Sequence, residues 1–156
     1  MSARVVPHIS VQRQDFDIAH EIAEMTVGRT DIGAVVTFSG LCRDEGETLA
    51  ALELEHYPGM AEAEIGRIAA EALQRWPLTG LRIIHRHGKI LPGENIVLVA
   101  AASAHRQAAF EAASFLMDFL KTNAPFWKKE HRRDGKEGGW VEAKASDDQA
   151  QSRWTR

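Results

Sequence analysis

The chain has 156 residues, 44% of them hydrophobic and 26% charged, with a formal net charge of −3 when the histidines are neutral. That length suits one domain with its own core, and the composition excludes a disordered chain. The mild acidity argues against nucleic-acid binding, the single cysteine (Cys42) excludes an intrachain disulfide or a thiolate-rich metal cluster, and charges break every apolar run well short of the roughly 18 residues a membrane span needs. Met1 to Pro7 lacks the apolar core of a signal peptide, so a soluble, cytoplasmic protein is expected. Charge is unevenly spread: Asp44 to Glu71 is acidic, whereas Lys121 to Lys136 is basic, which suits a small anion or an acidic partner.

In chain order, Ala3 to Gln12 alternates as a short strand. Asp15 to Met25 has apolar residues at helical spacing, with Asp15 or Asp17 as N-cap and Gly28 beyond its end. Gly33 to Cys42, rich in Val, Thr and Phe, predicts a buried strand. Arg43 to Thr48 is charged, carries Gly46 and predicts a mobile loop. Ala51 to Tyr57 alternates as a strand, and Met60 to Trp76 forms an amphipathic helix stopped by Pro77. Leu81 to Ile90 and Asn95 to Ala102 predict an antiparallel hairpin across the turn Leu91-Pro92-Gly93-Glu94. Ser103 to Asn123 is the longest helix, and Pro125 ends it. A last hairpin pairs Phe126 to Arg133 with Trp140 to Ala143 across a turn over Asp134 to Gly139. Tight turns between several strands predict an α+β fold, a mixed and mainly antiparallel sheet with helices packed on it, rather than a doubly wound parallel sheet. Residues 1–143 form one domain in this reading, and 144–156 a polar tail in which Trp154 is an anchor for packing or a partner.

Three stretches could carry chemistry. Ser103-Ala104-His105-Arg106 lies where a buried strand meets a helix start, whose free N–H groups and dipole attract anions; Arg106 adds a planar fork for phosphate or carboxylate. The same residues also read as a serine cap with His105 and Arg106 in solvent. Lys121 and Lys128 flank the corner made by Pro125, so both can converge on one pocket walled by Phe126 or Trp127. They equally read as a lysine complementing a helix C-terminus and another guarding an edge strand. Gly40 and Arg43 stand at a strand end, where glycine permits close approach and arginine can reach an anion or simply face solvent. His85 and His87 share a strand face as an H-x-H pair, yet no third ligand is evident, so no metal is expected; Cys42 reads as buried and inert.

Taken in order, the segments Gly33–Gly40, Leu54–Met60, Ile84–Arg86, Pro92–Glu94, Ser103–Arg106, Phe110–Ala112, Lys121–Thr122, Ala124–Lys128 and Trp140–Ala143 resemble the large, catalytic subunit of molybdopterin synthase, the MoaE family. The resemblance spans nearly the whole chain. It implies a hammerhead-like α/β arrangement and conversion of cyclic pyranopterin monophosphate (precursor Z) into molybdopterin by dithiolene formation. It further implies sulfur delivered as a thiocarboxylate on the C-terminal Gly-Gly of a small ubiquitin-like subunit, and a central homodimer within a heterotetramer. No cofactor is implied. By the same resemblance Lys121 and Lys128 are the catalytic pair, and Arg43, His105 and Arg106 bind the phosphate and pterin. Gly139 stands where relatives often carry an arginine, and Arg132, Arg133, Lys136 and Lys144 are the nearby charges that could replace it. Two other classes compete: a noncatalytic module that docks an acidic tail, and a lysine enzyme forming a Schiff base with a carbonyl substrate.

Overall fold

The computed structural model describes residues 4–123, 125–135, 137–141 and 154. Its strands form two four-stranded sheets rather than one. The first contains β1 (His8–Gln12), β2 (Ala34–Leu41), β4 (Leu78–Arg86) and β6 (Asn95–Ser103) in the order β1-β4-β6-β2. Within this sheet β1 runs parallel to β4, and the other neighbours are antiparallel. The second contains β3 (Leu49–His56), β5 (Gly88–Ile90), β7 (Phe126–Arg132) and β8 (Glu137–Val141) in the order β5-β3-β7-β8, all antiparallel.

Three helices complete the α+β fold: α1 (Ile18–Thr26), α2 (Met60–Arg75) and α3 (Arg106–Thr122). Asp17, not Asp15, caps α1, accepting from the His20 N–H at 3.2 Å. Helices α2 and α3 lay their apolar stripes on the first sheet. Ile65, Ile68, Phe115 and Leu116 meet Leu81, Ile83, Val97 and Val99, and this cluster supplies most of the burial that stabilises the domain. A smaller cluster of Cys42, Leu49, Leu54 and Ile90 lies beneath the second sheet.

One expectation needs correction. The stretch Leu81 to Ile90 is not one strand. Residues up to His85 pair with β6, whereas Gly88 to Ile90 pair with β3 in the other sheet. Gly88, at φ 86°, supplies the left-handed backbone that lets the chain change sheets. The predicted hairpin therefore exists between β4 and β6, but its turn is entered from β5. The loop Arg43 to Thr48 contains a short 3-10 turn at Glu45–Glu47. Asp44 ties it down, accepting from the Leu49 N–H at 2.9 Å and from Arg133 at 2.7 Å.

The last hairpin forms as expected, although its second strand begins at Glu137, before Trp140, and Ala143 lies outside the described residues. Of the tail 144–156 only Trp154 is described. Its ring meets Trp76 and Phe115 edge-on at 5.8 and 5.6 Å, its indole N–H donates to Asp118, and its carbonyl accepts from Arg75 at 2.9 Å. Trp154 thus packs across α2 and α3.

Candidate active site

The corner between α3 and β7 carries both lysines. Lys121 lies in the last turn of α3, and Asn123 closes the helix by donating its N–H to the Phe119 carbonyl at 2.7 Å. Beyond Pro125 the chain becomes β7, where side chains alternate between faces. Phe126, Lys128 and Glu130 stand opposite His56, Leu54 and Leu52 of β3. Leu54 is 1% exposed, so Lys128 lies on the face that turns inward. Trp127 points the other way, where it meets Tyr57 edge-on at 5.0 Å on the open surface. Phe126 takes the inward face and Trp127 the outward one, but neither walls the cavity that Lys128 lines.

Lys128 then lines a cavity of about 340 Å3 with Arg43, Glu130, Arg132, Thr48 and Cys42, floored by apolar side chains of β3 and β6. That volume suits a small molecule. Arg43 and Arg132 lie near their own carboxylates, Glu45 at 3.3 Å and Asp134 at 3.4 Å, in pairs exposed enough to yield to a ligand anion. Cys42 is a poor nucleophile. Burial, then the Glu94 and Asp44 charges, push its thiol up, so it stays protonated. A larger cavity of about 930 Å3 lies beside Val5, Val6 and Thr79, but its Arg29 and Arg82 are committed to Asp31 and Glu21. Size alone does not choose the site; convergent charge does.

Lys121 is exposed and does not line that cavity, but its charge and that of Lys128 both bear on a third residue. His85, at the end of β4, stacks on Phe126 with ring centres 3.8 Å apart and planes 12° apart. Phe126 in turn faces His56 at 5.9 Å, and His56 meets His87 at 4.3 Å. Burial lowers the basicity of His85 to about 4, against a backbone bond that raises it; the charges of Lys128 and Lys121 lower it further. Both lysines therefore act on one buried ring. The sequence marked His85 only as half of an H-x-H pair, and nothing local could announce its partner Phe126, 41 positions later. The H-x-H pair itself is split between β4 and the link to β5, and no group of three metal-ligating side chains occurs among the described residues.

His105 and Arg106 lie elsewhere. They begin α3, 17 residues long, while Lys121 ends it, so roughly 25 Å of helix separates them within one chain. Ser103 is not the helix cap. Its hydroxyl donates to the Pro77 carbonyl at 2.8 Å, and His105 occupies the N-cap position without a side-chain bond. The helix start is held instead by Gly33, whose N–H donates to the Ser103 carbonyl at 2.9 Å. A Cβ at Gly33 would fall 2.0 Å from the Ala104 carbonyl oxygen, so only glycine fits this approach.

An α+β chain with two small sheets, and a small-molecule cavity lined by Lys128, Arg43 and Arg132 beside the corner that carries Lys121, defines a class of anion-binding lysine proteins. Sequence comparison narrows it. A model of the MoaE protein family matches residues 11–123, and the chain belongs to that family. It is 76% identical over 154 residues to the molybdopterin synthase catalytic subunit of Mesorhizobium japonicum, covering 99% of this chain and 97% of that one. Among solved structures, the molybdopterin biosynthesis MoaE protein from Burkholderia ambifaria superposes with a TM-score of 0.81 at 48% identity, covering 96% of this chain and 98% of that one. The molybdopterin synthase from Staphylococcus aureus gives a TM-score of 0.75 at 30% identity, covering 85% and 95%.

Proposed function

We propose that this chain is the catalytic subunit of a molybdopterin synthase, acting in the cytoplasm as a sulfurtransferase. It converts cyclic pyranopterin monophosphate to molybdopterin with sulfur from the C-terminal thiocarboxylate of a small ubiquitin-like subunit. The observation that carries this reading is the meeting of Arg43, Lys128 and Arg132 on one cavity, beside the corner at the end of α3 that carries Lys121. Both reactants are anions, a phosphate ester and a carboxy-terminal tail, and each needs fixed positive charge. Lys121 meets the thiocarboxylate and assists acyl or sulfur transfer. Lys128 serves the pterin side as an acid–base or electrostatic group. Arg132, on the same cavity wall, supplies the charge that Gly139 lacks.

His105 and Arg106 bind substrate in this reading, yet they sit at the far end of α3 from their own lysines. The role therefore falls to the pair from a second copy, across the central homodimer. The test mixes the chain with thiocarboxylated small subunit and precursor Z, and assays molybdopterin as its fluorescent oxidised derivative. Product should require both additions and disappear in Lys121→Ala and Lys128→Ala variants that still fold. Full activity in either variant would refute the assignment, and absence of product with the small subunit bound would leave a docking module.

A further inference from the structure

The cavity that Lys128 lines has walls from two distant parts of the chain. Arg43, Glu45 and Thr48, from the loop after β2, form one; Lys128, Glu130 and Arg132 of β7 form the other. An anion meets Arg43 together with Lys128 and Arg132 only if the loop keeps a fixed place against β7. The loop's own backbone does not favour one. Gly46 and Glu47 both take left-handed conformations, at φ 74° and 59°, and the Cβ of Glu47 works against it. The pair that Arg43 makes with Glu45, at 3.3 Å, is open to solvent on both sides and fixes little.

What holds the loop lies just outside the cavity. Asp44 stands between Arg43 and Glu45 in the chain, and Arg133 follows Arg132, yet neither lines the cavity. One Asp44 oxygen, Oδ1, accepts from the Leu49 N–H at 2.9 Å and closes the loop on itself. The other, Oδ2, accepts from the Arg133 guanidinium at 2.7 Å and ties the loop to the opposite wall. The Arg133 N–H donates to the Thr48 carbonyl at 2.8 Å, one residue beyond the Leu49–Arg132 pair of the β3–β7 ladder. The Asp44 side chain is 19% exposed and that of Arg133 61%, so the carboxylate is the fixed end and the arginine closes over it from outside.

We infer that Asp44 and Arg133 are positioning residues for the anion site: their ion pair holds Arg43 on the cavity across from Lys128 and Arg132, so that one phosphate group meets all three, while neither partner of the pair touches it. That this phosphate is the substrate's rests on the function proposed above; the clamp itself does not.

The first measurement therefore needs no turnover. Inorganic phosphate is titrated into the full chain and followed in 1H–15N spectra. Arg43→Ala should weaken its binding. Arg133→Ala keeps the bond to Thr48 and the Asp44 bond to Leu49 and removes only the bridge, so phosphate should bind about fivefold more weakly, the effect of one partly exposed ion pair. Arg133→Lys should stay within about twofold of the parent. In chains that already carry Arg43→Ala, adding Arg133→Ala should have almost no effect, because Arg133 acts through Arg43 rather than on the anion. With small subunit and precursor Z, Arg133→Ala and Asp44→Asn should raise KM about fivefold and leave kcat within about twofold. Parental phosphate affinity in Arg133→Ala, an equal loss with and without Arg43, or no phosphate binding by the parent would each overturn the inference. If Asp44→Asn does not fold, Arg133→Ala decides, since it changes only an exposed side chain. Phosphate binding as expected, with no product from the parent, would count against the proposed function and leave the clamp standing.

Discussion

Acid should destabilise this protein through His85, and the size of the effect follows from its burial. The ring is neutral in the folded chain with its basicity lowered to about 4, whereas an unfolded histidine titrates at the model value of 6.5. Between those values the unfolded chain binds more protons, so stability is present above pH 6.5 and falls as pH drops toward 4. The groups that face the ring, Lys121 of α3, Lys128 of β7 and His56 of β3, all oppose a positive charge there. Integrated from pH 7 to pH 4.5, the difference is about 2.5 kcal/mol. The assay is urea unfolding at both pH values, for the parent chain and for His85→Gln, which cannot titrate. The parent should lose about 2.5 kcal/mol more than the variant on acidification. Equal losses would mean that His85 is not a buried neutral ring. His87, whose basicity is likewise lowered by burial first and then by His56 and Arg13, contributes with the same sign in both proteins and cancels.

Three other outcomes are expected. Co-refolding Lys128→Ala chains with Arg106→Ala chains should restore activity to mixed dimers, because one of their two sites then holds both residues intact. Activity no higher than the two inactive parents would place all the residues in one subunit. Gly33→Ala forces a methyl group against the Ala104 carbonyl, and should cost about 3 kcal/mol in urea unfolding while weakening substrate binding through the displaced start of α3. Unchanged stability would show that the backbone yields there. Trp154→Ala should cost about 2 kcal/mol, from the lost edge contacts with Trp76 and Phe115 and the bond to Asp118, readable by calorimetry with little change in kcat.

Much of the fold was legible because it is encoded locally. Helical spacing and proline stops placed α2 and α3, and the Pro-Gly turn announced the antiparallel pairing of β4 with β6. Leu81 to Ile90 misled because it reads as one unbroken strand, while its hydrogen-bonding partner changes at Gly88. A strand's partner is a non-local choice and leaves no mark on the strand's own periodicity. The single sheet expected from tight turns became two for the same reason.

The site divides along the same line. From the sequence alone, Lys121 and Lys128 flank a proline corner, and Arg43 follows a buried strand at the mouth of a charged turn. The strand from Phe126 was legible too, but not which of its faces is buried. That choice, with Phe126 inside and Trp127 outside, came only when β3 paired across it and set Lys128 opposite the buried Leu54. Tertiary structure alone seated His85 against Phe126 and placed Arg132 and Glu130 in the lysine cavity. It also put His105 and Arg106 a whole helix away from Lys121, since a straight helix keeps its ends apart whatever chemistry its sequence suggests.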